Sequence, residues 1–204
     1  MGRIDTLAER YKRHISLPWQ KDLAGAQRAI FIVYDKADER RLRARKTLFE
    51  MATKDGGHEW IECDLTGAFA EWMASTEYRE SYFESPQDLE LKLEENFLEH
   101  VAGRVRATLT APEAGDGSVV ALFGVASLFG FARVSELMGA VERDVRGRIV
   151  VFFPGEYEDS NYRLLDARDG WNYLAVPITL REHRGVYSVS PSPPGRGVWG
   201  EGEM

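Results

Sequence analysis

Two carboxylates stand just past an apolar run. Asp35 follows "AIFIVY", Ala29 to Tyr34, and Asp38 comes three residues later. At the exit of a strand such a pair could serve metal-dependent phosphoryl transfer, one aspartate acting as nucleophile or both as magnesium ligands. A D-x-D arrangement would need its second aspartate at position 37, where the chain has Ala37. The competing role is electrostatic: Asp35 or Asp38 caps the next helix, with Glu39 in its first turn, where carboxylates meet unpaired backbone N–H groups.

Other chemical motifs fall short of their spacing. "GVASLFGF" sits between a strand and a helix, but Gly124 and Gly130 are six apart and no Lys-Ser or Lys-Thr follows, so it is not a phosphate-binding loop. No dinucleotide-binding glycine pattern follows the first strand. Ser127 lacks the G-x-S-x-G surroundings that expose a nucleophile and reads as a turn serine. His14, His58, His100 and His183 are scattered, and Cys63 is the single cysteine. The sequence therefore predicts no disulfide within the chain, no metal site and no cofactor.

A third region is rich in binding chemistry. "RIVVFFPGEYEDSNYRLLDARDGWNYLAVPI", Arg148 to Ile178, breaks at Pro154-Gly155 and reads as a charged, aromatic loop between two apolar runs. Its carboxylates and arginines include Glu156, Glu158, Asp159, Arg163, Asp166, Arg168 and Asp169. No spacing rule makes them an acid–base pair. Gly155, Glu156, Tyr157, Tyr162, Arg163 and Trp171 are the candidate partner-binding residues here, because Tyr, Trp and Arg bury much area while keeping a polar handle. The alternative is that the rings fold back onto the sheet as a local core.

The elements that must position these residues alternate. Continuous β-branched and aromatic runs at Ala29–Tyr34, Val119–Gly124 and "IVVFF" read as strands covered on both faces, and "HEWIECDL" as a shorter strand. "YLAVPI" supplies a fifth, placed at an edge by Pro177. Between them the spacing predicts one helix over Asp35–Lys54, one through Glu71–Ala74, and a long one carrying Leu89, Leu93, Phe97, Val101 and Val105 every four residues. Another helix is entered through Arg133-Val134-Ser135, and Arg133 joins the partner-binding candidates. The predicted fold is α/β: a mainly parallel sheet of about five strands flanked by helices in three layers, lacking a phosphate-binding loop. Residues 1–181 form one domain with a short helical N-terminal lead. The Pro-, Gly- and Ser-rich stretch 182–204 reads as a disordered tail.

Composition bounds the function. With 44% hydrophobic and 29% charged residues, and no apolar run near 20 residues, the chain reads as a soluble globular protein without a membrane span or secretory signal, hence cytoplasmic. The net charge of -7 argues against wrapping nucleic acid over the whole surface. The basic "KADERRLRARKTLFEMATK" and the acidic "EYRESYFESPQDLELKLEENFLEH" are read as the solvated faces of two helices, or as charges that guide docking.

Three blocks resemble the BrxB-like family of bacterial BREX (bacteriophage exclusion) systems: "FIVYDKADERRLRARKTL", "VVALFGVASLFGFARVSELM" and "VVFFPGEYEDSNYRLLD" with "NYLAVPI". They span about Ala29 to Ile178 in the family's order. Members tend to carry an arginine near the position of Leu174. The resemblance implies a cytoplasmic subunit of a phage-defence assembly, with a PglZ-type phosphatase-like protein, a BrxC-type ATPase and a PglX-type DNA methyltransferase as partners. It brings no catalytic residue set with it. The expected function is a non-catalytic adaptor that docks a PglZ-type or BrxC-type protein. The alternative is a metal-dependent phosphoryl-transfer enzyme using Asp35 and Asp38.

Overall fold

The computed structural model describes residues 2–20, 22–167 and 170–181. The chain runs α1 (Arg3–Ile15), β1 (Ala29–Tyr34), α2 (Glu39–Ala44), α3 (Thr47–Asp55), β2 (Glu59–Asp64), α4 (Ala68–Ser75) and α5 (Arg79–Glu84). It continues through α6 (Glu90–Lys92), α7 (Leu98–Leu109), β3 (Ser118–Phe123), α8 (Val134–Val141), β4 (Arg148–Glu158), β5 (Asn161–Leu164), β6 (Trp171–Asn172) and β7 (Val176–Ile178). Arg168, Asp169, His183 and the expected tail at 182–204 lie outside the described residues.

Five strands form one parallel layer in the order β2-β3-β4-β1-β7. Every residue of β1 and β3 is buried, which is why these strands read as unbroken apolar runs rather than alternating ones. Phe31, Val33, Val120, Leu122, Val151 and Phe153 face α4, α7 and α8. Ile30, Ile32, Ala121, Phe123, Val150 and Phe152 face α1 and α3. This is the expected three-layer α/β/α arrangement. β7 pairs with β1 alone, so Pro177 sits in an edge strand where a missing donor costs no second ladder.

The N-terminal lead is a full layer element. α1 buries Ile4, Leu7, Ala8, Tyr11 and Ile15. The Tyr11 hydroxyl meets the Thr53 hydroxyl of α3 at 2.6 Å, which satisfies two groups inside the apolar face.

Three expectations change. The predicted Asp35–Lys54 helix is a 3-10 turn at Lys36–Asp38 followed by α2 and α3, broken at Arg45-Lys46. The predicted long helix is α6, a π-helical segment at Leu93–Phe97, and α7. A stripe repeating every 4 residues drifts around a 3.6-residue helix, and the wider π turn absorbs that drift. The third change is the largest: the predicted loop after Phe153 is no loop. β4 runs through Pro154-Gly155 to Glu158 and turns back as β5.

Candidate functional site

β1 hands the chain to α2 and α3 on one face of the sheet, while its neighbour β4 hands it to the β5–β6 hairpin on the other. Adjacent strands that diverge in this way open a crevice at their carboxyl ends, the usual ligand position in open α/β sheets. Here it is a crevice of about 160 Å³, walled by Arg3, Asp35, the Gly155–Glu158 stretch and Thr179 to Arg181.

The hairpin forms because β4 changes character along its length. Pairing with β3 ends at Val151, so the missing N–H of Pro154 interrupts no ladder on that side. Beyond it Gly155, Glu156, Tyr157 and Glu158 alternate between half-buried and exposed, as in a strand with one solvated face. Asp159 and Ser160 close the turn with φ of 48° and 64°, the double left-handed geometry of a two-residue I′ turn. Gly155 is fixed by close approach: a Cβ there would lie 2.1 Å from the Arg163 carbonyl oxygen of β5.

The aromatic residues divide between surface and core. Tyr162 is fully buried, donates its hydroxyl to the Ala175 carbonyl at 3.0 Å and packs its ring 4.6 Å from Phe31. It anchors the hairpin and offers no ring to solvent. Trp171 and Tyr157 are half-buried against it, at 5.6 and 4.7 Å. Tyr173 bonds Glu142 at 3.1 Å, and burial, then that carboxylate, push its phenol well above the ordinary range. The local-core alternative thus describes the inner face. On the outer face Glu156 and Arg163 stand opposite each other, both exposed, 3.5 Å apart. Arg133 is exposed at the entry to α8, and no hydrogen bond or ion pair among the described residues joins it to the hairpin.

Asp35 takes the capping role, its carboxylate accepting from the Ala37 N–H at 2.9 Å. Asp38 is buried between Arg3 Nε at 3.1 Å and Arg41 at 3.2 Å. Its Oδ2 faces Arg3 as an ion pair without hydrogen-bond geometry. Arg3 thus reaches both aspartates of the candidate phosphoryl-transfer pair, Asp38 at 3.1 Å and Asp35 at 3.9 Å. Among the described residues no three His, Cys, Asp or Glu side chains gather as a metal site. In the "GVASLFGF" segment the Ser127 hydroxyl lies 2.7 Å from the Gly124 carbonyl and 2.9 Å from that of Leu65, as a turn serine does.

A second network at this end escaped the sequence reading. Arg43 bonds Glu39 at 2.7 Å, Asp64 at 2.8 Å and the Thr66 hydroxyl at 2.7 Å, while the Tyr34 hydroxyl donates to Glu39. Burial raises the Asp64 pKa most, yet Arg43 and Thr66 together bring it down to about 2. The network ties the exits of β1 and β2 through α2. Its one local signal is the Asp64-x-Thr66 turn, in which Asp64 accepts from the Thr66 N–H at 2.9 Å.

Fold and site together define a three-layer α/β protein whose switch-point crevice carries paired charges and a packed hairpin in place of a phosphate-binding loop. The chain belongs to the BrxB family: the family model described as BREX protein BrxB matches residues 62–178, more than half of its length. It is therefore a component of a BREX phage-defence system. No curated protein and no solved structure matches it. No helix among the described residues is long and apolar enough to cross a membrane.

Proposed function

We propose that this BREX component is a non-catalytic adaptor that docks a larger BREX protein, PglZ-type or BrxC-type, through the outer face of the β4–β5 hairpin. The observation that carries this reading is the division of the hairpin into two faces. Tyr162 and Trp171 hold it against Phe31 of the sheet, at 4.6 and 5.8 Å, so its backbone is set before any partner arrives. Its other face presents Glu156 and Arg163, 65% and 47% exposed, whose mutual pair is weak in water and free to exchange for a partner's groups. The engagement of Asp35 and Asp38 by arginines favours this reading over phosphoryl transfer.

The test is Arg163→Ala, titrated against purified PglZ-type and BrxC-type proteins from the same operon. Affinity for one of them should fall by about 2 kcal/mol, roughly thirtyfold, with the melting temperature unchanged. Unchanged affinity for both would reject the hairpin as the docking surface. Metal-dependent phosphatase activity abolished by Asp35→Asn would restore the enzyme reading.

A further inference from the structure

An adaptor needs a second surface, and the helical layer on the same face of the sheet carries a candidate that shares no residue with the hairpin. Between α4 and α7 lies an open groove of about 760 Å³, lined by Glu71 and Trp72 of α4 and by Glu99, His100, Gly103 and Arg104 of α7. Residues 99, 100 and 103 share one face of α7, and Asn96 extends it one turn earlier. The opposite face of the same helix, with Val101, Ala102, Val105 and Leu109, is buried in the core. α7 is thus satisfied on one side and unpartnered on the other.

Gly103 is the informative residue. It lies inside a 12-residue helix, where glycine costs about 1 kcal/mol relative to alanine. Nothing in the chain calls for it, since a Cβ at this position would meet no atom within 4 Å. Gly139 in α8 is equally open but lines neither this groove nor the switch-point crevice, so glycine alone does not make a site. At Gly103 the open position coincides with a groove bounded by two helices, and a missing side chain there lets a third helix axis approach closely.

Charge selects the occupant. Glu71 is paired with Arg104, and Glu99 has no ion-pair partner among the described residues. The crossover leading into α7, residues 77–92, carries five carboxylates (Glu77, Glu80, Glu84, Asp88, Glu90) against two cations, and α5 buries none of its residues. With Glu71 neutralised by Arg104, the charge open to a partner is Glu99 together with the acidic crossover that leads into α7, and this pattern fits an amphipathic helix whose polar face is rich in lysine or arginine. We propose that the α4–α7 groove docks a basic amphipathic helix of a partner protein, its backbone seated over Gly103 and its cations meeting Glu99 and the acidic crossover. The acidic surroundings disfavour nucleic acid at this face.

The proposal is tested with a labelled lysine–leucine amphipathic helical peptide, and a glutamate–leucine peptide of the same length as control, by fluorescence anisotropy on the full chain. The basic peptide should bind saturably and lose affinity with added salt, and the acidic one should not bind. Glu99→Lys and Gly103→Leu should each weaken binding at least tenfold. Gly103→Ala should leave the melting temperature equal or higher, which separates loss of docking from loss of folding. Arg163→Ala should not change peptide binding, so this proposal and the hairpin reading can fail independently. Basic-peptide binding that survives Gly103→Leu reflects general attraction to an acidic protein and overturns the proposal. So does self-association lost in Gly103→Leu without any peptide binding, which would assign the face to a second copy of the chain.

Discussion

The two ends of the parallel sheet hold their arginines by different means. At the carboxyl end the cations meet carboxylates: Arg3 and Arg41 on Asp38, Arg43 on Glu39 and Asp64, Lys36 on Asp166, Arg163 on Glu156, and Arg181 on Glu158. At the amino end Arg106 and Lys12 pair with Asp144 and Asp55, but the arginines beside the starts of β1 and β4 meet backbone carbonyls. Arg146 donates to the Leu109 and Ala111 oxygens at 3.4 and 2.7 Å, just past α7. Arg148, only 8% exposed, donates to Gly147 and Gln20 at 3.1 and 3.2 Å and lies 4.6 Å from the Trp19 ring.

The polarity of α/β units accounts for the contrast. Helices begin at the carboxyl ends of strands, where free N–H groups favour acidic side chains, and they finish at the amino ends, where unpaired carbonyls favour cations. Arg28, Arg146 and Arg148 at the amino end are spent on the chain's own backbone, whereas Arg163 and Arg181 at the carboxyl end sit in exposed pairs with carboxylates.

The largest way to break this arrangement lies at the carboxyl end and is steric. Gly155→Ala drives a Cβ into the Arg163 carbonyl oxygen, 2.1 Å away, and should cost about 3 kcal/mol in urea unfolding. A loss under about 1 kcal/mol would mean that the hairpin re-forms in another register.

Arg148→Met probes the amino end, since methionine keeps much of the stem and removes the donors. It should destabilise by about 2 kcal/mol, because two carbonyls lose their partner and Trp19 loses its cation. Arg163→Ala should by comparison cost less than about 0.5 kcal/mol of stability. A neutral or stabilising Arg148→Met would show that desolvating the cation outweighs its bonds, and the contrast between the ends would fall.

The ends should also titrate apart. Burial, then the Arg148 charge, lower the His14 pKa below its ordinary 6.5. The unfolded chain therefore takes up a proton near 6.5 that the folded chain refuses. Stability from this group is complete above 6.5 and is lost as pH falls through the folded pKa. For Asp64, with its pKa of about 2 against 3.8, stability is present above 3.8 and lost as pH falls toward 2. Denaturation followed against pH should show two declines, the first flattened by His14→Gln and the second by Asp64→Asn.

The smallest effect sharpens the hairpin itself. Ser160 holds a φ of 64°, which glycine adopts without a steric penalty, so Ser160→Gly should stabilise by about 0.5 kcal/mol in the same assay.

The layers and the edge strand were legible in the sequence because burial on both faces needs only short-range apolar runs, as in "AIFIVY", and Pro177 marks an edge through its own missing donor. The capping role of Asp35 was legible as one of two alternatives for the same reason, being decided within three residues. Family membership was legible in the second and third blocks, which fall within the matched residues 62–178, and the third, "VVFFPGEYEDSNYRLLD", is the one that no fold requires. The hairpin was not read. Its alternation in "GEYE" and "NYRL" is only four residues long on each side of Asp159-Ser160, and the Pro154-Gly155 pair looks locally like a chain break. Only the end of β3 pairing at Val151 lets β4 continue through it. Nor could spacing show that Tyr162 is an anchor while Arg163 beside it faces water, or that Arg43 meets Asp64 from 21 residues away. The face a side chain presents, the charge it meets and the groove left beside Gly103 depend on which elements pack together, and that is set by tertiary contacts rather than by local pattern.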